Sequence, residues 1–198
     1  MGNEPEAEVK VLFAEAEVAR RVEELAAAIA AALPGRFTVV GLLKGSFVFV
    51  ADLVRALHRA GCAPRIEFMR VSSYGSGTTS SGIVSLMGDA PPGVKGEPVL
   101  LVDDIQDTGR TLAFTRGLLL ERGAARVWTC TLLDKPSRRE VEGGEVDFVG
   151  FAIPDVFVVG YGIDYAERYR YLPFIGRVGM GHGLLFDPDT CHVTRLPS

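Results

Sequence analysis

The chain has 198 residues, of which 47% are hydrophobic and 23% are charged. This balance is sufficient to bury a core and disfavours disorder, and the length fits one large domain or a core with a small appendage. The net charge is −4, so we expect no general electrostatic attraction to nucleic acid or to an anionic membrane. The composition therefore indicates a globular protein, in which only a local basic site remains open.

Cysteine content and the first residues indicate the compartment. The cysteines Cys62, Cys130 and Cys191 are odd in number and far apart, with no His at metal-ligand spacing, so we predict neither a disulfide framework nor a structural zinc site. The start, MGNEPEAEVK, is acidic and lacks the basic-then-apolar order of a signal peptide. No apolar run approaches the ~20 residues of a membrane span. We therefore expect a cytoplasmic protein with reduced thiols and no membrane partner.

The first part of the chain alternates between helical and strand-like hydrophobic patterns. Apolar residues recur every three or four positions over residues 18–33, which predicts an amphipathic helix ended by Pro34. The short β-branched run FTVVGLL predicts a buried strand, which leads through LKGS into a second helix that ends at Gly61. The order so far is helix, strand, helix.

A polar segment separates the next two predicted strands. RIEFMRVSSY predicts a strand, and GIVSLM predicts the return strand of a hairpin. Between them, YGSGTTSSG contains three Gly and five Ser or Thr. This composition predicts a long loop or a flap.

The second half of the chain contains the most strongly apolar strand pattern. PVLLVDD predicts a buried strand, VWTCTLLDK predicts the next strand, and TLAFTRGLLLERG between them predicts a helix that ends at Gly123. The residues of this helix predicted to point inward are Leu112, Leu119 and Leu120. Alternating strands and helices are typical of an α/β fold, in which helices cover both faces of a mainly parallel sheet and ligands gather at the carboxyl ends of the strands.

The pattern changes after Arg139. DFVGFAIP and FVVGYGID resemble strands, and YAERYR predicts a short helix. This order is that of a small cap rather than of another strand–helix–strand unit. We therefore expect one domain over residues 1–178, with a core over about 9–139, a cap over about 140–178 with or without the N-terminal segment, and a tail over 179–198.

The segment VLLVDDIQDTGRTL, residues 99–112, carries the clearest chemical pattern. Its strand delivers Asp103 and Asp104 at the carboxyl end, and DTGRT then turns into the helix. A turn of this kind directs backbone N–H groups and the positive end of the helix at one point, where Gly109 lets a ligand approach the backbone. We therefore predict a phosphate-binding loop.

An ordinary strand–helix turn is the alternative for DTG alone, with Asp107 or Thr108 as the helix N-cap. The two acids and the strand that precede DTG favour the phosphate site instead. The patterns GxxxxGK[ST] and GxGxxG are both absent, so the loop is neither a Walker loop nor a dinucleotide fingerprint.

This segment resembles the phosphoribosyl diphosphate signature of phosphoribosyltransferases. Four other segments closely resemble, in order, successive motifs of the hypoxanthine-guanine phosphoribosyltransferase family, namely LLKGSFVFVADLVRAL, VSSYGSGTTSSG, CTLLDKPSRR and VGFAIPDVFVVGYGIDYAERYRYLPFIG. The resemblance runs from about Val11 to Ile175, and residues after Arg177 have no counterpart. It implies the type I phosphoribosyltransferase fold, a mainly parallel twisted sheet flanked by helices, with a small hood and a flexible hairpin flap.

The resemblance implies a purine-salvage enzyme that transfers the 5-phosphoribosyl group from phosphoribosyl diphosphate to hypoxanthine or guanine, with Mg²⁺ as cofactor. Asp107 is the implied catalytic group, which hydrogen-bonds a purine ring nitrogen and moves the proton. The implied phosphoribosyl diphosphate contacts are Leu43, Lys44, Gly45, Ser73, Tyr74, Asp103, Asp104, Thr108, Gly109, Arg110, Thr111 and Arg170. The implied purine contacts are Lys135, Phe157, Val158 and Asp164, and the implied metal ligands are Asp103, Asp104 and Asp164. A cis peptide bond between Leu43 and Lys44 and a homodimer or homotetramer are implied as well.

Several of these residues have a simpler explanation when each is considered singly. Lys44 and Lys135 each follow a strand, where a lysine is usually only solvated. Phe157 suits a core, Asp164 suits a helix N-cap, and Arg170 suits a surface salt bridge. Their ordered occurrence in one family pattern is what favours the functional roles.

Two other functions stay open. An RNA-binding attenuator of the pyrimidine-operon type resembles the same fold and loop, but it is expected to lack an acid at position 107 and to have a basic face, whereas Asp107 is present and the chain is acidic. Transfer to xanthine is the second alternative, which Lys135 and the segment FVVGYGID disfavour. The expected partners are a purine base and phosphoribosyl diphosphate, without nucleic acid.

Overall fold

The computed structural model describes residues 9–74, 83–89, 91–141, 145–179, 184–187 and 192–195. The strands are β1 (Val9–Phe13), β2 (Thr38–Leu43), β3 (Arg65–Tyr74), β4 (Ile83–Leu86), β5 (Pro98–Gln106), β6 (Arg126–Asp134), β7 (Phe148–Ala152), β8 (Val158–Val159), β9 (Ile175–Val178), β10 (Leu184–Asp187) and β11 (His192–Arg195). The helices are α1 (Glu15–Ala32), α2 (Phe47–Arg59) and α3 (Arg110–Glu121), with short 3₁₀ turns at Pro92–Val94 and Pro136–Arg138. Most of the predicted flap, residues 75–82, lies outside the described residues.

A six-stranded sheet in the order β4-β3-β2-β5-β6-β7 forms the centre of the described structure. All neighbouring strands run parallel except β4, which returns antiparallel to β3 as a hairpin. The predicted α/β fold with a mainly parallel sheet is therefore confirmed. Because parallel strands end at the same edge, the loops after β2, β5 and β6 meet there.

Burial explains why the sheet forms. Residues 99–102 of β5 have no exposed surface, as expected for a strand that is covered on both faces. Ile29 of α1 and Leu53 of α2 belong to the apolar cluster on one face, whereas Leu112 and Leu119 of α3 belong to the cluster on the other. Burial of each such side chain contributes about 1.5–3 kcal/mol to folding.

Helix α3 faces the sheet with Leu112, Thr115 and Leu119. The prediction that Leu120 also points inward is wrong, because this residue is 45% exposed. Successive helical residues are about 100° apart, so a face defined by positions 112, 115 and 119 directs position 120 toward solvent. Gly123 follows the helix with a φ of 91°, as predicted for its C-terminal end.

The strands of the region expected to form the cap belong to two different sheets. β7 pairs in parallel with β6 and extends the main sheet, whereas β8 and β9 join the N-terminal β1 in a separate antiparallel sheet of order β1-β9-β8. The region expected to form the cap thus contributes one strand to the core, and the N-terminal strand pairs with the cap.

The short helix predicted for YAERYR is not formed. Residues 165–170 form turns instead. Three of them, Ala166, Glu167 and Tyr169, have positive φ values of 49°, 61° and 71°, a left-handed conformation that an α-helix of L-residues does not contain. Asp164 Oδ2 accepts the backbone N–H of Glu167 at 2.9 Å, and such a local side-chain bond favours a turn over a helix.

The described cysteines are reduced and buried, and the last described strands form a separate sheet. Cys62 and Cys130 are buried free thiols, and burial raises the pKa of Cys130, whereas Cys191 lies outside the described residues. None of the described helices is long and apolar enough to cross a membrane. In the tail, β10 and β11 form a two-stranded antiparallel sheet of their own.

Candidate active site

Two carboxylates stand at the carboxyl end of β5. Asp103 is 8% exposed, and its Oδ1 accepts the backbone N–H of Asp104 at 3.0 Å. Burial and the neighbouring charge of Asp104 raise the pKa of Asp103 well above its usual value. Burial also raises the pKa of Asp104, while hydrogen bonds and the positive charge of Arg170 act in the opposite direction. Such an acidic pair gains from any ligand that brings hydroxyl donors or a cation.

The loop after β2 lies directly against this acidic pair. The peptide bond between Leu43 and Lys44 is cis, as the resemblance implies, and Ser46 Oγ donates to the Leu42 carbonyl at 2.5 Å. Gly45 is packed so closely on the acidic pair that an added Cβ would overlap the second carboxylate. A side chain at this position therefore requires the loop or the carboxylate to move.

The turn from β5 to α3 has the geometry of an anion-binding loop. α3 begins at Arg110, and Gly109 before it has a left-handed φ of 88° and supplies no side-chain cap. The N–H groups of the first turn after Arg110 have no side-chain cap, and a helix start of this kind suits an anion. Thr108 Oγ1 lies 3.4 Å from the Arg110 nitrogen, and the Arg110 guanidinium pairs with Glu140 at 2.7 Å. This geometry supports the predicted phosphate contacts from Thr108 to Thr111.

Asp107 is held by two arginines from the loop after β6. Its Oδ1 accepts Nε–H of Arg138 at 3.0 Å, and its carbonyl accepts a guanidinium N–H of Arg139 at 3.1 Å. The carboxylate raises the pKa of Arg138. Gly109 occupies the N-cap position of α3, so Asp107 does not cap the helix, whereas Thr108 Oγ1 accepts the N–H of Arg110 at 3.4 Å. The Asp107 side chain is 42% exposed, so a ligand can reach it.

Lys135 follows β6 and is buried rather than solvated. Its side chain is 9% exposed, and its Nζ lies 3.2 Å from Asp155 Oδ1. Its backbone N–H donates to the Gln106 carbonyl at 2.9 Å, which ties the end of β6 to the end of β5. Arg138 reaches the other oxygen of Asp155 at 3.7 Å. Arg138 and Asp155, which the sequence did not single out, therefore link Lys135 and Asp107 in one chain of ion pairs.

The hood carries the remaining predicted purine contacts. Phe157 is 39% exposed and meets Tyr165 edge-to-face, with the ring centroids 5.3 Å apart. This exposure does not fit the alternative of a core aromatic, and it leaves ring surface for stacking. Val158 is buried in β8 and pairs with β9, so only its backbone is suited to a ligand contact.

Arg170 organises the loop between β8 and β9. Its guanidinium pairs with Asp164 Oδ1 at 2.7 Å and donates to the Gly162 carbonyl at 2.9 Å, and its side chain is 19% exposed. Gly162 has a φ of 98°, and an added Cβ there would overlap the Gly45 carbonyl. The hood loop is thus in contact with the loop after β2, and Arg170 belongs to that arrangement rather than to an open surface salt bridge.

Three implied substrate contacts lie on the loop after β2 and at the end of β3, namely Lys44, Ser73 and Tyr74. Lys44 Nζ pairs with Glu167 Oε2 at 2.9 Å, so Lys44 is bound to a residue that the sequence did not indicate. Ser73 and Tyr74 form the end of β3 through their backbone, whereas their side chains lie outside what the structure describes. No signal in the sequence joins Lys44 to Glu167, because the two positions belong to separate loops.

The predicted metal ligands do not form a single cage. Within the described ranges, no group of three or more His, Cys, Asp or Glu side chains is arranged to hold a metal ion. Asp103 and Asp104 are adjacent, whereas Asp164 is paired with Arg170. A metal at this edge would therefore need ligands from a bound molecule as well.

A mainly parallel sheet that ends in an acidic pair, followed by a glycine-led helix start, suits an enzyme for phosphorylated sugars. Comparison with protein families gives the same class, because residues 8–166 match the phosphoribosyl transferase domain.

Individual relatives narrow the class. The chain is 50% identical over 174 residues to hypoxanthine phosphoribosyltransferase of Haemophilus influenzae, a match that covers 86% of this chain and 95% of that protein. A solved hypoxanthine-guanine phosphoribosyltransferase from Bacillus anthracis is 43% identical with a TM-score of 0.80, covering 87% of this chain and 100% of the other. A solved structure of hypoxanthine phosphoribosyl transferase from Trypanosoma cruzi is 40% identical with a TM-score of 0.81. This match covers 90% of this chain and 95% of the other. This chain belongs to the hypoxanthine phosphoribosyltransferase family.

Proposed function

We propose that this chain transfers the 5-phosphoribosyl group of phosphoribosyl diphosphate to hypoxanthine and guanine, a purine-salvage reaction that releases diphosphate. The observation that carries the proposal is the meeting of the acidic pair, the phosphate loop and Lys135 at one edge of the sheet. The acidic pair lies in β5 and the phosphate loop follows it, while Lys135 follows β6, the neighbouring strand.

The reaction breaks the bond between the sugar C1 and diphosphate as a purine nitrogen bonds to C1. Positive charge therefore develops on the sugar and negative charge on the leaving group. Asp103 and Asp104 suit the ribose hydroxyls, because buried carboxylates gain from donated hydrogen bonds and their charge favours the sugar cation. The loop from Thr108 to Thr111 is suited to bind the ribose phosphate. Lys44 and Arg170 are suited to pair with the diphosphate.

Asp107 is suited to bind the purine ring nitrogen that must lose its proton when the purine bonds to the sugar. The carboxylate accepts this proton, so the base is neutral in the product. Arg138 orients the carboxylate through its Nε–H, which donates to Asp107 Oδ1 at 3.0 Å. A positioned general base contributes about 10²- to 10⁴-fold to the rate.

Lys135 accounts for a preference for 6-oxo purines. Its ammonium only donates hydrogen bonds, so it matches the exocyclic oxygen of hypoxanthine or guanine and is mismatched with the amino group of adenine. Asp155 compensates the buried ammonium before the base arrives. Hypoxanthine and guanine present the same oxygen, so Lys135 does not discriminate between them.

Neither alternative function gains support. An RNA-binding attenuator is expected to lack the acid at position 107, which this chain has and holds in place with Arg138. The relatives described above are named for hypoxanthine or hypoxanthine-guanine transfer, which favours those bases over xanthine.

We also propose Mg²⁺ as the cofactor. Asp103, Asp104 and Asp164 offer carboxylate oxygens, the donors that Mg²⁺ prefers, and the buried acidic pair would be relieved by a cation. Mg²⁺ commonly uses one or two protein carboxylates together with substrate phosphates and water, which fits the separation of Asp164 from the other two. When bound, the ion supplies positive charge to the diphosphate.

The assembly, the location and the tail complete the proposal. We infer a cytoplasmic homodimer or homotetramer, because Phe47 of α2 and Ile66 and Phe68 of β3 are 43–47% exposed and a second copy would cover such apolar side chains. Sedimentation of the purified protein measures the assembly, and a monomer would contradict the inferred dimer or tetramer.

We further infer that the domain spans residues 1–178 and that residues 179–198 are a tail that catalysis does not need.

Product formation from each of four purines tests the proposed function. With phosphoribosyl diphosphate and Mg²⁺ present, we expect turnover of hypoxanthine and guanine and little turnover of adenine or xanthine. Equal turnover of adenine would contradict the role of Lys135. The absence of turnover with all four bases would overturn the proposed function.

A further inference from the structure

Glu167 touches both cations that the proposed function assigns to the diphosphate. Its Oε2 lies 2.9 Å from Lys44 Nζ, and its Oε1 lies 3.5 Å from a guanidinium nitrogen of Arg170. Lys44 belongs to the loop after β2, and Arg170 belongs to the hood loop. One carboxylate therefore lies between cations from opposite sides of the site.

The hood loop holds Glu167 in this position. The residue has a left-handed φ of 61°, and its backbone N–H donates to Asp164 Oδ2 at 2.9 Å. The other oxygen of Asp164 pairs with Arg170 at 2.7 Å. The turn thus fixes the Cα of Glu167, while its side chain, 67% exposed, is free to change direction.

We propose, as an extension of the proposed function, that Glu167 is a built-in counter-ion of the diphosphate site. Its carboxylate holds Lys44 and Arg170 when the site contains no ligand. It gives up both cations when the diphosphate group of the substrate binds, and it takes them back as diphosphate leaves. Glu167 is in this sense a positioning residue, since it acts through the two cations.

Charge decides the direction of this exchange. Diphosphate carries more negative charge and more acceptor oxygens than one carboxylate, so it forms more charge-assisted hydrogen bonds with the same two cations. The displaced Glu167 carboxylate turns into water and is not left buried without a partner. The exchange therefore costs little, and it keeps the two cations from binding the product too tightly.

The size of the effect follows from the exposure of the contacts. Exposed ion pairs are weak, so the competition from Glu167 is modest, and its removal should lower the Kd for diphosphate by about 2- to 10-fold. The same change should slow the release of diphosphate. Use of the purine base should be unaffected, because Glu167 contacts neither Lys135 nor Asp107.

Calorimetric titration of inorganic diphosphate into Glu167→Gln, at one fixed Mg²⁺ concentration, tests the proposal. Glu121→Gln is the matched control, because it removes the same charge from an exposed position on α3. We expect tighter binding in Glu167→Gln, an unchanged Kd in the control and an unchanged hypoxanthine KM in both. Structural damage would weaken binding, so a tighter Kd is specific to the counter-ion role.

A second variant shows whether Glu167 acts through Lys44. In a Lys44→Met background, the additional change Glu167→Gln should tighten diphosphate binding by less than it does in the wild type. An unchanged or weaker Kd in Glu167→Gln overturns the counter-ion role while leaving the proposed function intact, provided that the wild type converts hypoxanthine. A wild type that fails to convert hypoxanthine overturns the proposed function itself.

Discussion

Replacement of Asp107 by asparagine separates proton transfer from structure. Asparagine keeps the shape and an acceptor oxygen for Arg138, but it does not accept a proton. Both partners of the present ion pair are more than 40% exposed, and an exposed ion pair contributes about 0.2–1 kcal/mol to stability. We therefore expect the free energy of unfolding to fall by at most about 1 kcal/mol, which lowers the Tm of a chain of this size by no more than about 4 °C.

The effect of Asp107→Asn on the rate should be much larger. Loss of a general base lowers the rate by about 10²- to 10⁴-fold, which corresponds to about 2.7–5.4 kcal/mol of transition-state stabilisation. Binding of phosphoribosyl diphosphate, carried by Thr108 to Thr111, should change far less. Single-turnover conversion of hypoxanthine at saturating phosphoribosyl diphosphate, together with thermal denaturation, measures both quantities.

Arg138→Met is the matched control for Asp107→Asn. It removes the same ion pair, together with the 3.7 Å contact to Asp155, but retains the Asp107 carboxylate, so we expect a Tm at least as low and a clearly smaller loss of rate. A stable Asp107→Asn enzyme with a near wild-type rate would refute the role of Asp107 as proton acceptor. Equal losses of rate in the two variants would indicate that the ion pair, rather than the proton, matters.

Four further expectations follow from individual contacts. Lys135→Ala should lower kcat/KM for hypoxanthine by about 10- to 150-fold, the value of a charged hydrogen bond, and should change the KM for phosphoribosyl diphosphate less; equal losses would make Lys135 structural. Gly45→Ala should cost about 1–3 kcal/mol of stability in denaturant titration, because its Cβ overlaps the carboxylate of Asp104, and a wild-type midpoint would contradict that overlap. Since burial raises the pKa of Asp103 in the folded state, the folded protein binds the proton more tightly than the unfolded chain and loses stability as the pH rises through that pKa. Asp103→Asn should therefore have a higher Tm than the ligand-free wild type at pH 8, with a difference that shrinks toward pH 4, and a difference independent of pH would rule this out. Truncation after Val178 keeps β9 whole and should leave kcat/KM within about 2-fold of wild type, whereas a folded but inactive product would show that the tail takes part in catalysis.

The framework of the fold could be predicted because local pattern and burial coincide. FTVVGLL is apolar except for Thr38, and PVLLVDD is apolar up to its two terminal aspartates. A strand buried on both faces needs no alternation to be recognised. The errors have a different origin. The exposure of Leu120 depends on how α3 is rotated against the sheet, and the turn at 165–170 depends on a hydrogen bond from Glu167 to Asp164. Neither property is carried by the apolar pattern itself.

The predictable part of the site is the part that consecutive residues carry. The acidic pair and the phosphate loop lie within residues 99–112, where a strand end and a helix start fix their relative positions. The ion pairs of the site join distant positions, since Lys44 and Glu167 are 123 residues apart and Asp107 and Arg138 are 31 apart. No local period connects such residues, so only the folded sheet edge brings them together.

The ligand-free site compensates most of its charges internally. Four implied functional side chains each meet an opposite charge from another loop, and these pairs are Lys44 with Glu167, Asp107 with Arg138, Arg110 with Glu140, and Lys135 with Asp155. Asp103 and Asp104 differ, because burial raises the pKa of both and the charge of Asp104 raises the pKa of Asp103 further, while Arg170 only partly offsets the charge of Asp104. Uncompensated buried charge is costly. The pairs other than Lys135 with Asp155 are exposed on both sides, and exposed pairs are readily exchanged. Substrate binding should therefore stabilise the fold mainly at the acidic pair, while at the three exposed ion pairs it replaces one partner with another.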